Sequence, residues 1–577
     1  MAATPSTIGQ MQEEILDAHL PKIYSPEERE AHLFILRRLE DARLQRDTSH
    51  KYFDDMDYVS DYYANENAKN TYLRAKRNDS EVRIVTGVTE KKIEAVYNEL
   101  LALNLQHEVR AFDREDRELV ELGQDLGDLV TRTNRVEEDE DFWQEAIIEL
   151  LTQRAVFIKE KYIEKKTRNG TGTITLAQKE LLCGLKVYLG DITIPAYRFN
   201  EQPYIIEYNR THWRLLEQIW GDNPNWKYVK RGAGALAPNG QYGSHHSYRF
   251  GKLENDEMEC IYYTSLPDNE YQVILQGVPM LPSKSSLQDS GNEYRVKMFT
   301  LKSLATDFAY GKPLTASAKT LQALSDESIR LMIRKFQQSL EPPLATTKKI
   351  FSKDIWNPGA IAQGLKAGDF ETLIKHQGVT QSEFEMYRLI EEKISEFIGA
   401  SNIQQGLPSG KEITATEVLE MQRQAAKQLG LSVAGVTRMK REMTKSRLHT
   451  FFSEYTKPRG RRLNPITKKI EEIYQGFTIE GVTLENERKG TKRIQLMNRD
   501  LFPEEIDNIF AFEKRQEKIG NNFRMKGLNV KRLQEMELFL YVTVTPMQRE
   551  GSPLDKVMFT DRLSKGSAVA HIAGRPM

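Results

Sequence analysis

Cysteine is nearly missing from this chain: Cys183 and Cys260 are the only two among 577 residues. Two thiols so far apart exclude a disulfide framework and are expected as small apolar residues in a reducing compartment. Long apolar runs are missing too. None approaches the roughly 18 residues that cross a bilayer, and no positive-then-apolar leader opens the chain, so neither membrane insertion nor export is expected. Net charge is also lacking, at −1. A protein that grips nucleic acid mainly by neutralising phosphates carries a clear excess of Lys and Arg, whereas a wall past which a duplex slides must not hold it tightly.

The motifs of several chemistries are absent as well. A phosphate-cradling loop needs Gly-Lys followed by Ser or Thr, but Gly410-Lys411 precedes Glu412 and Gly311-Lys312 precedes Pro313. The tract 231–251 carries Gly232, Gly234, Gly240, Gly243 and Gly251, yet no apolar strand feeds it, and it is expected as a surface loop. His245-His246 has no partner at zinc-binding spacing. The acidic run Glu137 to Asp141 suits a helix end better than a metal site, which needs ligands converging from elsewhere. Neither enzyme, cofactor nor metal is expected.

What is present describes a folded protein. Hydrophobic residues make up 39% and charged residues 29%, and the length exceeds one compact core, so several substructures are expected. The fold class expected is α+β, predominantly helical. Ser25-Pro26-Glu27-Glu28 starts a helix with apolar positions Leu33, Leu36, Leu39 and Leu44. Further helices are expected over 88–104, 112–134 and from Phe142 to about Arg154. Alternation then predicts strands over 155–165, 186–189, 192–199 and 204–208, followed by a short helix with Trp213, Leu216, Ile219 and Trp220. Strands over 258–263, 271–275 and 295–299 lead into a helix over about 315–340, stopped by Pro342-Pro343. At 1.5 Å per residue it is about 40 Å long, enough to line much of a channel. A capping box at Thr380 and Glu383, with Val379 and Phe384 as staple, opens another helix. Past Gly430 the helical pattern restarts near Ser432 and runs to Tyr455. Strands are then expected near 477–484 and 492–496, helices over 503–519 and 528–540, and a strand over 541–545.

The stretch around which these pieces are organised is Ile413-Thr414-Ala415-Thr416-Glu417-Val418. Thr414 can cap a helix that Glu417 closes as a capping box, with Ile413 and Val418 as the hydrophobic staple. Locally that is a well-capped helix start. In context, Thr414, Ala415, Thr416, Glu417 and Val418, preceded by a polar Gly/Ser loop, resemble the Thr-Ala-Thr-Glu segment of tailed-bacteriophage portal proteins, the head-to-tail connectors. Upstream, Tyr310-Gly311-Lys312-Pro313, the long helix and Asn357-Pro358-Gly359-Ala360-Ile361 follow in the order that portals show. The resemblance covers roughly residues 140 to 455.

The resemblance implies a wing, stem and clip architecture with a short C-terminal crown. By its boundaries, 1–208 form the N-terminal arm and wing, 209–253 the stem approach, 254–306 a β-rich clip and 307–343 the stem helix. Residues 344–470 form wing and channel-loop helices, and 471–577 the crown region. It implies a ring, usually a dodecamer, at one capsid vertex of the virion, assembled in the host cytoplasm. Its expected partners are double-stranded DNA, the terminase packaging motor, the major capsid or scaffolding protein and a head-tail adaptor. The rival reading is a virion scaffold protein that binds nucleic acid without forming a ring.

Candidate channel-lining cations fall on three stretches. Arg330, Arg334 and Lys335 on the long helix, with Lys411 in the loop before the motif, are candidates for DNA contact, although i, i+4 pairing of Asp326 with Arg330 is an equal alternative for that face. Residues 438–469 hold eleven Lys or Arg against Glu442 and Glu454, including Arg459, Arg461 and Arg462. That tract can meet DNA or an acidic surface on a neighbouring subunit.

Overall fold

A computed structural model describes residues 25–45, 86–102, 105–113, 115–137, 139–166, 173–229, 256–281, 293–303, 305–340, 344–345, 371–372, 379–398, 415–456, 458–463, 470–474, 476–483, 489–537 and 539–546. Among them 54% are helical and 25% are in strands, and no helix is long and apolar enough to cross a membrane. In chain order the first elements are α1 (Pro26–Leu44), α2 (Val88–Ala102), β1 (Leu105–Ala111), α3 (Arg117–Glu137) and α4 (Asp139–Thr152). There follow β2 (Val156–Lys166), β3 (Thr173–Leu182), β4 (Val187–Leu189), β5 (Ile205–His212), α5 (Trp213–Trp220), β6 (Glu257–Ser265), β7 (Glu270–Leu275), β8 (Val278–Pro279) and β9 (Val296–Phe299). Next are α6 (Leu314–Leu340), β10 (Leu344–Ala345), β11 (Glu371–Thr372), α7 (Gln381–Ile398) and α8 (Ala415–Tyr455). The last are β12 (Pro458–Leu463), β13 (Ile470–Tyr474), β14 (Phe477–Thr483), β15 (Lys489–Met497), α9 (Pro503–Lys518), β16 (Phe523–Asn529), α10 (Val530–Glu537) and β17 (Leu540–Pro546).

The chain divides into two compact units, one of residues 1–56, 100–313 and 430–577, the other of 57–99 and 314–429. In the first, β4 to β8 form a five-stranded antiparallel sheet in chain order. Its strands bury both faces. Ile261, Tyr263 and Ile274 pack under α1 with Ile35, Leu36 and Leu39, while Met258, Cys260, Val273 and Leu275 pack under α5 with Trp213 and Leu216. Helix α1 starts on the expected capping box, with the Glu28 amide donating to Ser25 Oγ at 3.2 Å and the Ser25 amide to Glu28 Oε2 at 3.1 Å. Arg38 then pins it, stacked on Phe34 and Tyr204 and hydrogen-bonded to Tyr263 and Asp268. Burial of Cys260 pushes its thiol up to about 12, so it behaves as the small core residue the sequence suggested.

A second sheet, ordered β3-β2-β9, shares a core with the first through Phe157, Val296, Met298, Leu189 and Tyr310. A third core gathers α3, α10 and the end of α8 against β1, β15 and β16, with Leu122, Leu126, Phe451, Phe452, Ile494 and Leu533 at its centre. One amide on each of two edge strands is taken by a carboxylate: Glu137 accepts the Lys179 amide on β3, and Glu513 of α9 accepts the Met525 amide on β16 at 2.6 Å. A satisfied edge amide is unavailable to a foreign strand.

Strand pairing and the division into two units both run across the expected wing, clip and crown blocks. Residues 254–306 are not a separate β unit, because β6 pairs with β5 over eight residues, from Ile205 opposite Thr264 to His212 opposite Glu257, and β9 pairs with β2. Residues 471–577 are not a separate end, because β17 pairs with β1 from Leu105 opposite Pro546 to Ala111 opposite Leu540, and β13 pairs with β12. Alternation shows that a strand exists but not which distant strand it joins. The 344–470 block is likewise cut, at Leu429/Gly430. Two local readings also fail. Residues 192–199 hold a turn and the 3₁₀ segment Ala196–Glu201 in place of a strand, since Pro195 cannot donate to a ladder and Asp191 caps Thr193 at 2.8 Å. The restart expected after Gly430 is not a break, because α8 runs unbroken through Gly430 and Gly435, its ladder tolerating each glycine at about 1 kcal/mol.

On α4, Glu149 lies against the first unit's interior, and burial together with Glu145 raises its pKa to about 7. Below about 4.5 the folded and unfolded chains both hold this proton. Between 4.5 and 7 only the folded chain does, so stability falls as pH rises and the loss is complete above the folded value. Glu149→Gln should therefore stabilise the protein by about 2 kcal/mol at pH 8 and change little at pH 4.5, as measured by urea unfolding at the two pH values.

In the second unit, α6 packs against α7. Asp326 Oδ1 accepts the Thr86 amide at 2.9 Å, the Thr86 hydroxyl at 2.7 Å and Gln322 Nε2 at 2.8 Å, while Gln322 Oε1 takes the Thr89 amide at 2.9 Å. These bonds hold the start of α2, after the left-handed Gly87, against the middle of α6. At the start of α7, Glu383 accepts the Thr380 amide at 2.8 Å, but the Thr380 hydroxyl pairs with Ser382, so only half of the expected box forms. Phe384, expected in the staple, is 58% exposed.

Candidate nucleic-acid interface

The basic tract follows the first unit's part of α8 into β12, and its charges meet different fates. Arg447 is wholly buried. Its Nε lies 2.7 Å from Glu160 Oε1, its Nη2 2.8 Å from Glu137 Oε2, and its Nη1 donates to Asn134 Oδ1 at 2.6 Å. Lys179 joins the cluster, 3.0 Å from Glu137 Oε2 and 3.3 Å from Asn134 Oδ1. Burial outweighs these partners at Glu160 and holds its carboxyl above the ordinary range. Glu137, the last residue of α3, is therefore an internal counter-charge, while Asp139, Glu140 and Asp141 open α4, the helix start at which the sequence placed the acidic run.

Other cations of the tract are also engaged. Arg438 donates to the Thr300 carbonyl, and burial beside Arg441 lowers its pKa. Lys440 lies 5.1 Å over Trp143, whose ring also sees Lys179 at 5.5 Å. Arg441 pairs with Glu442 at 3.0 Å and Lys445 with Glu293 at 3.5 Å. Five of the eleven cations read from the sequence are thus engaged within the fold.

What remains outward is the hairpin β12–β13. Arg461 is exposed and has no ion pair among the described residues. The carboxylates across the ladder are already committed: Glu472, opposite Arg461, accepts from Tyr474 at 2.7 Å, and Glu471, opposite Arg462, pairs with Arg499 at 2.7 Å. Arg499 in turn holds Glu505 at 2.7 Å and stacks on Phe502. Arg459 and Arg462 lie on the same strand, with only their backbone described.

The cations expected on the long helix are placed differently. Arg330 is paired with Glu327 and not with Asp326, which is buried, and Lys335 pairs with Glu383 at 2.8 Å. Neither offers a bare charge. Arg334 is described only in its backbone, and Lys411 and Thr414 lie outside the described residues. Helix α8 begins at Ala415, the residue after Thr414, and Thr416, Glu417 and Val418 are described in its backbone alone. His245, His246 and the glycine tract also lie outside the described residues, and among the described ones no group of three or more His, Cys, Asp or Glu gathers as metal ligands would.

Sequence reasoning missed the buried cluster. A signal was available, because Glu160 falls in phase with Val156 and Ile158 on β2, where a carboxylate needs an internal partner. No family model matches the chain, and no curated protein matches it.

Proposed function

We propose that this chain is the repeating subunit of a tailed-phage portal, a closed ring at one capsid vertex through which double-stranded DNA is packaged and ejected, and on which the packaging motor and tail adaptor dock. The observation that carries this reading is that α6 exposes large apolar side chains on two sides. Ala318, Gln322, Ser325 and Asp326 form its buried stripe, continued by Ile333 and Phe336, which are 38% and 53% exposed. Leu324 and Leu331, two turns apart on the opposite side, are 42% and 52% exposed. On α7, Phe384, Met386, Leu389 and Phe397 are each more than half exposed.

A helix with exposed apolar residues on two sides is suited to neighbours on both. Head-to-tail contacts that return on themselves supply one on each side of every subunit. The exposed Arg461 of β12 adds a charge that neutralises phosphate locally without an overall positive charge, as a conduit that must release its duplex requires. The resemblance around Thr414 to Val418 agrees with both features.

Negative-stain images of the purified chain should show closed rings with a central hole. Leu324→Arg with Leu331→Arg should leave helical content unchanged and abolish them. A chain that stays monomeric or dimeric in all assembly conditions leaves the non-ring scaffold reading ahead. Replacing Arg459, Arg461 and Arg462 together by Ala should keep the rings and reduce the salt slope of DNA binding by about 2–3. An unchanged slope assigns these arginines to subunit contacts.

A further inference from the structure

Among its described residues the second unit leaves eight large apolar side chains more than a third exposed, and they fall into two groups on opposite sides of the α6–α7 pair. Helices α6 and α7 run antiparallel: Lys335, late in α6, pairs with Glu383 at the start of α7, while Ser325, earlier in α6, bonds Tyr387, further along α7. Helix α2 lies against one side of both. Thr86 and Thr89 bond Asp326 and Gln322 of α6, and Lys92 sits in the field of Glu391 of α7. The flank of α6 that meets α7 carries Ser325 and Lys335. At about 100° per residue, Gln322 and Asp326 lie to one side of that flank, and Leu324 and Leu331 to the other. The flank of α7 that meets α6 carries Glu383 and Tyr387, with Glu391 to one side and Met386, Leu389 and Phe397 to the other. Both apolar stripes therefore open away from α2 and line a groove between the two helices. The second group stands on the α2 side, past the point where α2 begins. Ile333 and Phe336 extend the buried stripe of α6 beyond Asp326, and Phe384, two turns before Glu391, takes the same side at the start of α7.

We propose that the α6–α7 groove of one subunit takes the corner formed by Ile333, Phe336 and Phe384 of the next copy of this chain. This pairing rests on the ring reading and names the two unlike faces that meet in it. A groove that met its own copy across a two-fold axis would leave the corner bare, whereas one head-to-tail contact, repeated, covers both groups. The eight side chains are 38–58% exposed. At roughly 200 Å² for each when free, about 800 Å² of apolar surface goes under at every contact. That is the apolar share of an interface of about 1,200 Å², the lower end of what holds two proteins together stably.

Sedimentation velocity of two variants of the full chain tests it. Leu324→Arg with Leu331→Arg blocks the groove, and Phe336→Arg with Phe384→Arg blocks the corner. Each variant alone should stay monomeric where the wild type forms rings. An equimolar mixture should give one-to-one pairs and nothing larger, because the intact corner of the first meets the intact groove of the second. A mixture that stays monomeric overturns the proposal, as does either variant that associates alone. Where a double variant loses helical content by circular dichroism, Leu389→Arg for the groove or Phe384→Arg for the corner, at positions more than half exposed, takes its place. Variants that still close into rings sink this pairing and spare the ring reading. One-to-one pairs from the mixture, beside a wild type that grows into open chains, sink the ring reading and spare the pairing.

Discussion

Replacing Arg447 by Met lowers the unfolding free energy by about 3–5 kcal/mol, because it leaves two buried carboxylates without their cation. Glu160 has a side chain 1% exposed and Glu137 9%, so water cannot replace the guanidinium. Lys179 remains beside Glu137 and stands opposite Glu160 in the β2–β3 ladder, so it offsets only part of the lost charge. Urea unfolding followed by circular dichroism measures the loss, and a loss under about 1 kcal/mol refutes it. Arg447→Lys should recover only part, since a point ammonium cannot serve the three acceptors that a planar fork reaches at once. Arg447→Met with Glu160→Gln should recover more, because it removes the orphaned charge along with its partner.

Gly311→Ala is expected to cost about 3 kcal/mol, at the top of the range for overpacking. A Cβ at this position would lie 2.6 Å from the Lys302 carbonyl oxygen, 2.7 Å from Thr300 Cβ and 3.3 Å from the Arg154 carbonyl oxygen. Two of the three are backbone atoms. They cannot swing aside, because Gly311 donates to the Arg154 carbonyl at 2.9 Å and Lys312 to the Lys302 carbonyl at 2.8 Å. Its neighbour Tyr310 is only 1% exposed, so the segment cannot rise as a whole. The unfolded chain loses some freedom on gaining a methyl group, which offsets about 0.5 kcal/mol. A thermal melt compared with wild type checks the effect, and an unchanged midpoint contradicts it.

These two positions show how differently sequence and tertiary structure speak. Gly311 stands in the Tyr-Gly-Lys-Pro stretch that the sequence singled out, yet its need for glycine comes from three chain segments converging at residues 154, 300 and 302. Arg447 was counted as one charge in a basic tract, and its partners lie at 134, 137 and 160, roughly three hundred residues away. Charge counting along a chain cannot separate a buried cation from an exposed one, because the countercharge arrives only with folding. The same limit explains Arg330 and Lys335, whose charges were legible and whose partners Glu327 and Glu383 decide that neither stands bare.

The sequence by itself determined the local elements: the capped start of α1, the long α6, the C-terminal α9, α10 and β17, and the absence of a nucleotide loop or disulfide framework. Those follow from periodicity, capping and composition, which act over a few residues. Only the tertiary structure decided that β6 continues a sheet begun by β4 and β5, that β17 returns to β1, and that five cations of the basic tract are engaged inside the first unit. Pairing partners and buried countercharges are set by which distant surfaces exclude water together, and no stretch of chain carries that information alone.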